Sequence, residues 1–380
     1  MSWPYLESDF GRCGQGGADM SSTVSFAAQD ASAACLGFAA EVGDVDAGPV
    51  TVVGGGTHLL NVGAAGSTME SRSGSSTARS LTAPVGVVSV EPEELIVRCG
   101  AGTTWAELDE ALAAAGLVCP LDPIDSRSTV GGVLSMGFSG VRRSRYGHIR
   151  DLLLETRYVS AQGILVKAGA PVVKNVTGYD LCRLLVGSQG TLGFLSEVVL
   201  RCRPRPAVRV WLQCAEVDPF AVRTSLVSPG AVLWDGMRTY VLLEGTASEV
   251  RVGSQALGPR WESSAAPELK SFAIRRALRN STIRTMTTSF KALSTSPRAS
   301  TDANVGPNSE RGSAAHVSGI KPEAVAFLAE IGVGTVHFSS ALDASPFDPA
   351  PLTEPVLALN QQLKAAFDPV GRLNPGVQPW

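Results

Sequence analysis

Apolar positions fall into short runs punctuated by glycine and proline, and their spacing switches between strand and helix periods along the chain. Pro49 to Val53 is a β-type run that ends in Gly54-Gly55-Gly56-Thr57-His58-Leu59. Val85 to Val90 and Leu95 to Cys99 predict two more strands. A helix follows: Thr104 and Glu107 have capping-box spacing, Trp105, Leu108 and Leu112 form one apolar stripe, and Gly116 supplies a left-handed stop. Leu152 to Ser160 and Ile164 to Lys167 flank Ala161-Gln162-Gly163 as a hairpin. Tyr179 to Val186 predicts a short helix, and Phe194 to Cys202 a strand ending before Pro204. Val356, Leu359, Leu363 and Phe367 mark a last helix, stopped by Asp368-Pro369. Residues 66–83 read as a long surface loop and 294–319 as a disordered or lid-like insertion. Strands and helices in this irregular order predict an α+β fold rather than a regular doubly wound sheet.

Composition narrows the class. Hydrophobic residues make up 44% and charged residues 18% of 380 positions, the balance of a folded globular chain. A net charge of −3 lacks the basic excess of a nucleic-acid binder. One local basic run, Arg142, Arg143, Arg145, His148 and Arg150, reads either as a solvated edge or as an anion site. No run reaches the roughly 20 apolar residues of a membrane span, and the early Glu7 and Asp9 do not fit a signal peptide. The 7 cysteines are scattered and read as reduced thiols, implying a cytoplasmic protein. Four histidines spread along the chain offer no zinc set, and no cysteine spacing fits an iron–sulfur cluster.

Candidate chemistry concentrates in three glycine-bearing segments: Gly54 to Leu59, Pro120 to Gly140, and Gly187 to Gly193. Bare amides after a strand can form a phosphate-binding nest without a lysine; the alternative is a tight glycine turn. Leu59 stands where a Rossmann fingerprint needs glycine.

The run Val172 to Gly193 (VVKNVTGYDLCRLLVGSQGTLG), Gly140 to Asp151 (GVRRSRYGHIRD) and the closing Asp368 to Gly376 (DPVGRLNPG) resemble the FAD-binding small subunits of bacterial glycolate oxidases, within the vanillyl-alcohol oxidase or PCMH-type superfamily. The resemblance is strong over 85–205 and at the last dozen residues, and thin over 206–355. It implies a two-subdomain PCMH-type FAD-binding domain at 20–205, divided near 84. A shortened FAD-linked oxidase C-terminal α+β domain would occupy 206–380. It also implies non-covalent FAD, because Thr57 stands where some relatives carry an anchoring histidine.

By the same resemblance Gly54, Gly55, Gly56, Thr57, His58 and Leu59 would hold the pyrophosphate. Pro120, Leu121, Asp122, Thr129, Gly131, Gly132 and Ser135 would line the flavin and ribityl side. Tyr146, Gly147, Gly190, Gly193 and Leu195 would enclose the adenosine and diphosphate, and Asn374 would approach the ring. Implied partners are a larger FAD-binding subunit and an iron–sulfur subunit; the implied substrate is glycolate or a similar 2-hydroxy acid. Arg143, Lys174 and His337 are the polar candidates for substrate contact or proton transfer. Two other functions stay open: a structural FAD-loaded subunit, and a stand-alone flavin oxidase of another alcohol or a sugar.

Overall fold

The structure, a computed structural model, describes residues 31–57, 78–123, 125–171, 180–268, 274–295, 327–339 and 352–377. Helix α1 (Ala31–Val42) leads to β1 (Val50–Val52), which pairs in parallel with β2 (Arg79–Leu81). Next come β3 (Val87–Glu91), β4 (Ile96–Gly100), α2 (Trp105–Ala114), β5 (Leu117–Val118), α3 (Val130–Met136) and α4 (Arg143–Tyr146). The hairpin β6 (Leu153–Val159) and β7 (Leu165–Gly169), helix α5 (Leu181–Leu185), and strands β8 (Phe194–Arg201) and β9 (Arg203–Pro204) complete this half.

Strands β3, β4, β8, β6 and β7 lie side by side in that order, antiparallel throughout. Central β8 is covered on both faces, so its run is apolar at nearly every position instead of alternating. The exceptions are Ser196, Glu197 and the half-buried terminal Arg201. Arg98 donates to Glu197 at 2.8 Å and to Glu155 at 3.1 Å, which pairs both buried carboxylates. Leu108, Leu112, Val133, Leu134, Leu185 and Leu200 fill the core. The capping box at Thr104 forms with both of its hydrogen bonds, and Gly116 adopts φ +68°.

The second half begins with β10 (Val208–Ala215), α6 (Pro219–Ser225), β11 (Ala231–Trp234), β12 (Arg238–Gly245) and α7 (Ala247–Leu257). It continues with β13 (Glu262–Ser264), β14 (Ile274–Ala277), α8 (Asn280–Thr295), β15 (Phe327–Glu330), β16 (Thr335–Phe338) and α9 (Glu354–Phe367). Its antiparallel sheet runs β13, β10, β12, β11, β15, β16, β14. One face packs Val232, Trp234, Phe327 and Phe338 against Ile283, Met286 and Phe220. The other face places Leu233, Leu242 and Leu328 against Val141 of the first half. Period-two alternation puts Glu244, Glu330, His337 and Arg275 on this second face too.

Four expectations change. Residues 79–81, expected in a loop, form β2 because their amides and carbonyls pair with β1. Positions 294 and 295, expected in an insertion, instead end α8, which continues to Thr295; the rest of the expected insertion, 296–319, lies outside the described residues. Helix α9 forms, but its stripe is not a buried one: Val356 is 42% and Leu359 56% exposed, and the helix contains no buried residue. The closing segment does not stay with the second sheet. Leu373 is buried in the first core and forms a parallel bridge with Val50. Arg372, 3% exposed, donates to the carbonyls of Val42, Gly43, Gly48 and Ala161. The chain therefore returns to where the first glycine loop starts.

Candidate functional site

Strand β1 delivers Gly54 to Thr57 beside the segment that caps α3. A Cβ on Gly54 would sit 2.4 Å from Thr129 Oγ1, and one on Gly55 would sit 2.1 Å from the Arg127 carbonyl oxygen. Thr57 Oγ1 and Ser128 Oγ are hydrogen-bonded at 2.6 Å. The amides of Gly54, Gly55, Gly56 and Thr57 have no partner among the described residues. Gly56 adopts φ +67°, with nothing within 4 Å of where its Cβ would be. Successive free amides through a left-handed residue are the makings of an anion nest.

The other segments close around this one. Thr129 caps α3 by accepting from Gly132 N at 3.2 Å. Gln189 N donates to Ser135 O, and Gly187 N to Leu134 O, joining the third glycine segment to α3. Asn374 Nδ2 donates to Gln189 O at 2.7 Å, while its Oδ1 accepts from Val52 N at 3.1 Å. One side chain from the end of the chain thus ties the third glycine segment to the strand before the first. Lys364 Nζ donates to Thr191 O at 2.8 Å and fixes α9 to the same place. Asp122, Gln189 and Asn374 have positive φ (48°, 51° and 44°) without being glycine. Such conformations persist where surrounding contacts over-determine them, often at ligand sites.

A charged cluster flanks this convergence. Arg142, 4% exposed, donates Nε to both oxygens of Asp122 at 2.8 and 2.9 Å, and Nη1 reaches Glu244 at 3.4 Å. Burial alone would lower the Arg142 pKa; the hydrogen-bonded Asp122 carboxylate and then Glu244 more than reverse that, so it stays cationic. Glu244 also accepts from Arg209 Nε at 3.2 Å. Arg275 places its guanidinium 5.3 Å from the Phe138 ring centroid and donates to Ser139 O at 2.7 Å. His337 Nε2 lies 2.7 Å from Glu330 Oε1, which is 3.5 Å from Arg275. The cluster joins the second sheet to the 122–142 segment through side chains.

The sequence-derived residues divide accordingly. Gly54, Gly55, Gly56, Thr57, Thr129, Ser135, Gly190 and Asn374 come together. Gly131 and Gly132 do not form a bare loop: they begin α3, and Gly131 N is already used by Ala101 O. Leu121 and Leu195 are core residues, and Gly193 is glycine because its Cβ would strike the Tyr158 ring at 2.6 Å. Asp122 faces Arg142. Tyr146 lies between the guanidinium groups of Arg142 and Arg145, followed by Gly147 at φ +90°. His337 is 4% exposed within the charged cluster, while Arg143 is half-buried on α4. His58, Leu59 and Lys174 lie outside the described residues. Sequence reading missed Arg275, Glu244 and Glu330. Each glutamate ends an apolar strand run, Tyr-Val-Leu-Leu-Glu and Phe-Leu-Ala-Glu, which is the signal that could have exposed it.

The glycine segments, meeting through main-chain contacts, are set on an α+β fold of the PCMH type with an antiparallel five-stranded sheet. Residues 29–169 match the FAD binding domain family, so the chain carries that domain and its cofactor is FAD. Beyond the class, the chain is similar to glycolate oxidase subunit GlcE of Escherichia coli (strain K12). That pair is 29% identical over 309 residues, covering 77% of this chain and 84% of that one. The mitochondrial D-lactate dehydrogenase [cytochrome] of Arabidopsis thaliana is 36% identical over 166 residues, which is 44% of this chain but 28% of that one. Among solved structures, alkyldihydroxyacetonephosphate synthase aligns with TM-score 0.58 at 15% identity, covering 87% of this chain and 72% of that one, a likeness of fold. The residues present fit FAD: the amides of 54–57, without a partner among the described residues, suit a pyrophosphate, and Asp122, Gln189 and Asn374, all at positive φ, surround the same convergence.

Proposed function

We propose that this chain is the FAD-binding subunit of a multi-subunit oxidase or dehydrogenase of glycolate or a related 2-hydroxy acid. The observation that carries the reading is the run of four amides at 54–57 without a partner among the described residues, tied through Asn374 to the 187–190 segment. It is supported by similarity to a glycolate oxidase subunit over most of both chains. When bound, FAD supplies a two-electron acceptor for hydride leaving the α-carbon of the hydroxy acid. The chain's own task is to bind and orient. Gly54 to Thr57 would hold the phosphates, and Asn374 would keep the 52 and 189 backbones at fixed separation. The buried cluster around Arg142 and Arg275 would seat the second sheet over the cofactor and exclude water. His337, oriented by Glu330, is the candidate to take the hydroxyl proton. A larger FAD-binding subunit and an iron–sulfur subunit are the partners that would receive the electrons. Among the described residues, no helix is long and apolar enough to cross a membrane.

The test is spectroscopic. The purified chain, alone and in the complex it co-purifies with, is mixed anaerobically with glycolate and with D-lactate. Bleaching of the flavin band in the complex is the expected result. Flavin that bleaches with neither acid in either preparation overturns the substrate assignment. A colourless chain that stays empty in excess FAD overturns the site.

A further inference from the structure

The basic run on and after α4 is only partly used by the fold. Arg142 pairs with Asp122 and Glu244, and Arg145 donates to the Ser228 carbonyl. Arg143 is half-buried, and its guanidinium has no hydrogen-bond or ion-pair partner among the described residues. Close by, Arg275 reaches the same segment from the second sheet through Phe138 and Ser139. Ser139 Oγ accepts from Ile149 N at 3.0 Å, which brings His148 alongside. These cations feel one another: the His148 pKa is lowered first by burial, then by Arg143 and Arg150, with a smaller contribution from Arg275. Arg275 is likewise lowered by burial and by Arg143.

The nearby carboxylates are already engaged. Asp151 is held by Arg183 at 2.7 Å, and Glu330 is shared between His337 and Arg275. Like charges crowded in a partly desolvated place are unfavourable until an anion arrives. The Arg275 side chain is only 13% exposed, so a small anion suits the site better than a macromolecular surface. The site also backs onto the predicted flavin-lining segment, since a Cβ on Gly140 would lie 2.0 Å from Asp122 Cβ.

We propose that Arg143, His148 and Arg275 form a binding site for the carboxylate of a small organic acid, placed at the junction of the second sheet and the 138–149 segment. That the acid is the hydroxy-acid substrate rests on the function proposed above; that the site takes a carboxylate does not. Arg143 supplies a guanidinium fork unpaired among the described residues, and such a fork matches a carboxylate in geometry. Arg275 forms the recessed wall, and His148 can gain a proton when the anion binds.

Oxalate, which has no hydrogen to give up as hydride, is the probe. It is titrated calorimetrically into the full-length chain and into Arg143→Gln, with Arg251→Gln as a surface-charge control and thermal melts to verify folding. The expected result is saturable binding that Arg143→Gln weakens by about ten- to a hundredfold, while Arg251→Gln leaves it unchanged. Absence of binding by the natural chain, or equal affinity in Arg143→Gln, overturns the proposal. The two readings fail separately. Glycolate bleaching with oxalate affinity indifferent to Arg143 removes this site and keeps the function. Arg143-dependent oxalate binding without bleaching by any hydroxy acid keeps this site and removes the function.

Discussion

The two faces that meet in this molecule are built from different materials. Around Gly54 to Thr57 the binding groups are main-chain amides, and the side chains that matter there, Thr129 and Asn374, hold backbone in place. On the opposing face of the seven-stranded sheet the polar groups are side chains, Glu244, Arg275, Glu330 and His337, beside the apolar Leu233, Leu242 and Leu328. A backbone site tolerates almost no change of shape and is indifferent to most changes of charge. A side-chain site has the reverse sensitivity, because each buried charge requires a partner.

The largest effect is expected where shape alone decides. Gly55→Ala adds one methyl group, yet its Cβ would fall 2.1 Å from the Arg127 carbonyl oxygen, an immovable main-chain atom. The 54–57 segment must shift away from 127–129, and the flavin should be lost: FAD per protein, read from the absorbance of the purified variant, should fall to a few per cent. Gly56→Asn is the counterpart. Its φ of +67° suits asparagine and its Cβ would meet nothing within 4 Å, so that variant should fold normally. If Gly55→Ala retains full FAD, the backbone description of this face is wrong.

On the other face charge should decide. Arg142→Met roughly preserves volume but leaves Asp122 without its cation and the buried Glu244 with only the half-exposed Arg209. Breaking a buried pair by removing one partner costs about 3–5 kcal/mol, measurable by urea unfolding. Arg142→Lys should recover only part, since a lysine has no fork to span both carboxylates. A loss under about 1 kcal/mol, the range of a surface ion pair, would show that water reaches the cluster.

This difference also explains what the sequence disclosed. The glycine segments were legible because backbone geometry restricts residue choice: Gly54, Gly55 and Gly190 each face a close neighbour that excludes a Cβ. Even so, the reason for the glycines was only partly legible. Gly54 and Gly55 are required by loop-on-loop packing with 127–129 and not by ligand approach alone, and Gly131 is a helix residue against Ala101. The side-chain cluster was almost illegible. Asp122 and Arg142 are twenty positions apart and Glu244 another hundred, and no local periodicity links them. Their meeting depends on how the second sheet docks, a tertiary fact. His337 was visible as a lone histidine, but its carboxylate partner on the adjoining strand was not.

Asn374 lies between the two materials, a side chain that organises backbone. Asn374→Ala removes both the bond to Gln189 O and the one from Val52 N, and leaves a non-glycine residue at φ +44°. A loss of about 1–3 kcal/mol follows from two part-buried hydrogen bonds. Asn374→Gly should recover the backbone share of that loss and none of the hydrogen bonding. The FAD dissociation rate, followed by fluorescence of released flavin, should rise in both variants. Equal release rates in Asn374→Ala and the natural chain would mean that the closing segment does not hold the cofactor face together.

The smallest effect sharpens the side-chain half of the comparison. Burial, then Arg143 and Arg150, with Arg275 behind them and Asp151 opposing, hold the His148 pKa below its ordinary 6.5. The folded chain therefore takes up the His148 proton at lower pH than the unfolded chain does. The stability this group contributes is present above its unfolded pKa and is lost as pH falls through the folded one. Unfolding free energy of the natural chain should decline below pH 6.5 more steeply than that of His148→Asn, the difference amounting to less than one proton. Added oxalate should reduce that extra slope, because an anion among Arg143, His148 and Arg275 reverses the sign of the local field. Identical pH slopes for the two proteins would show that His148 is solvated and does not feel the arginines.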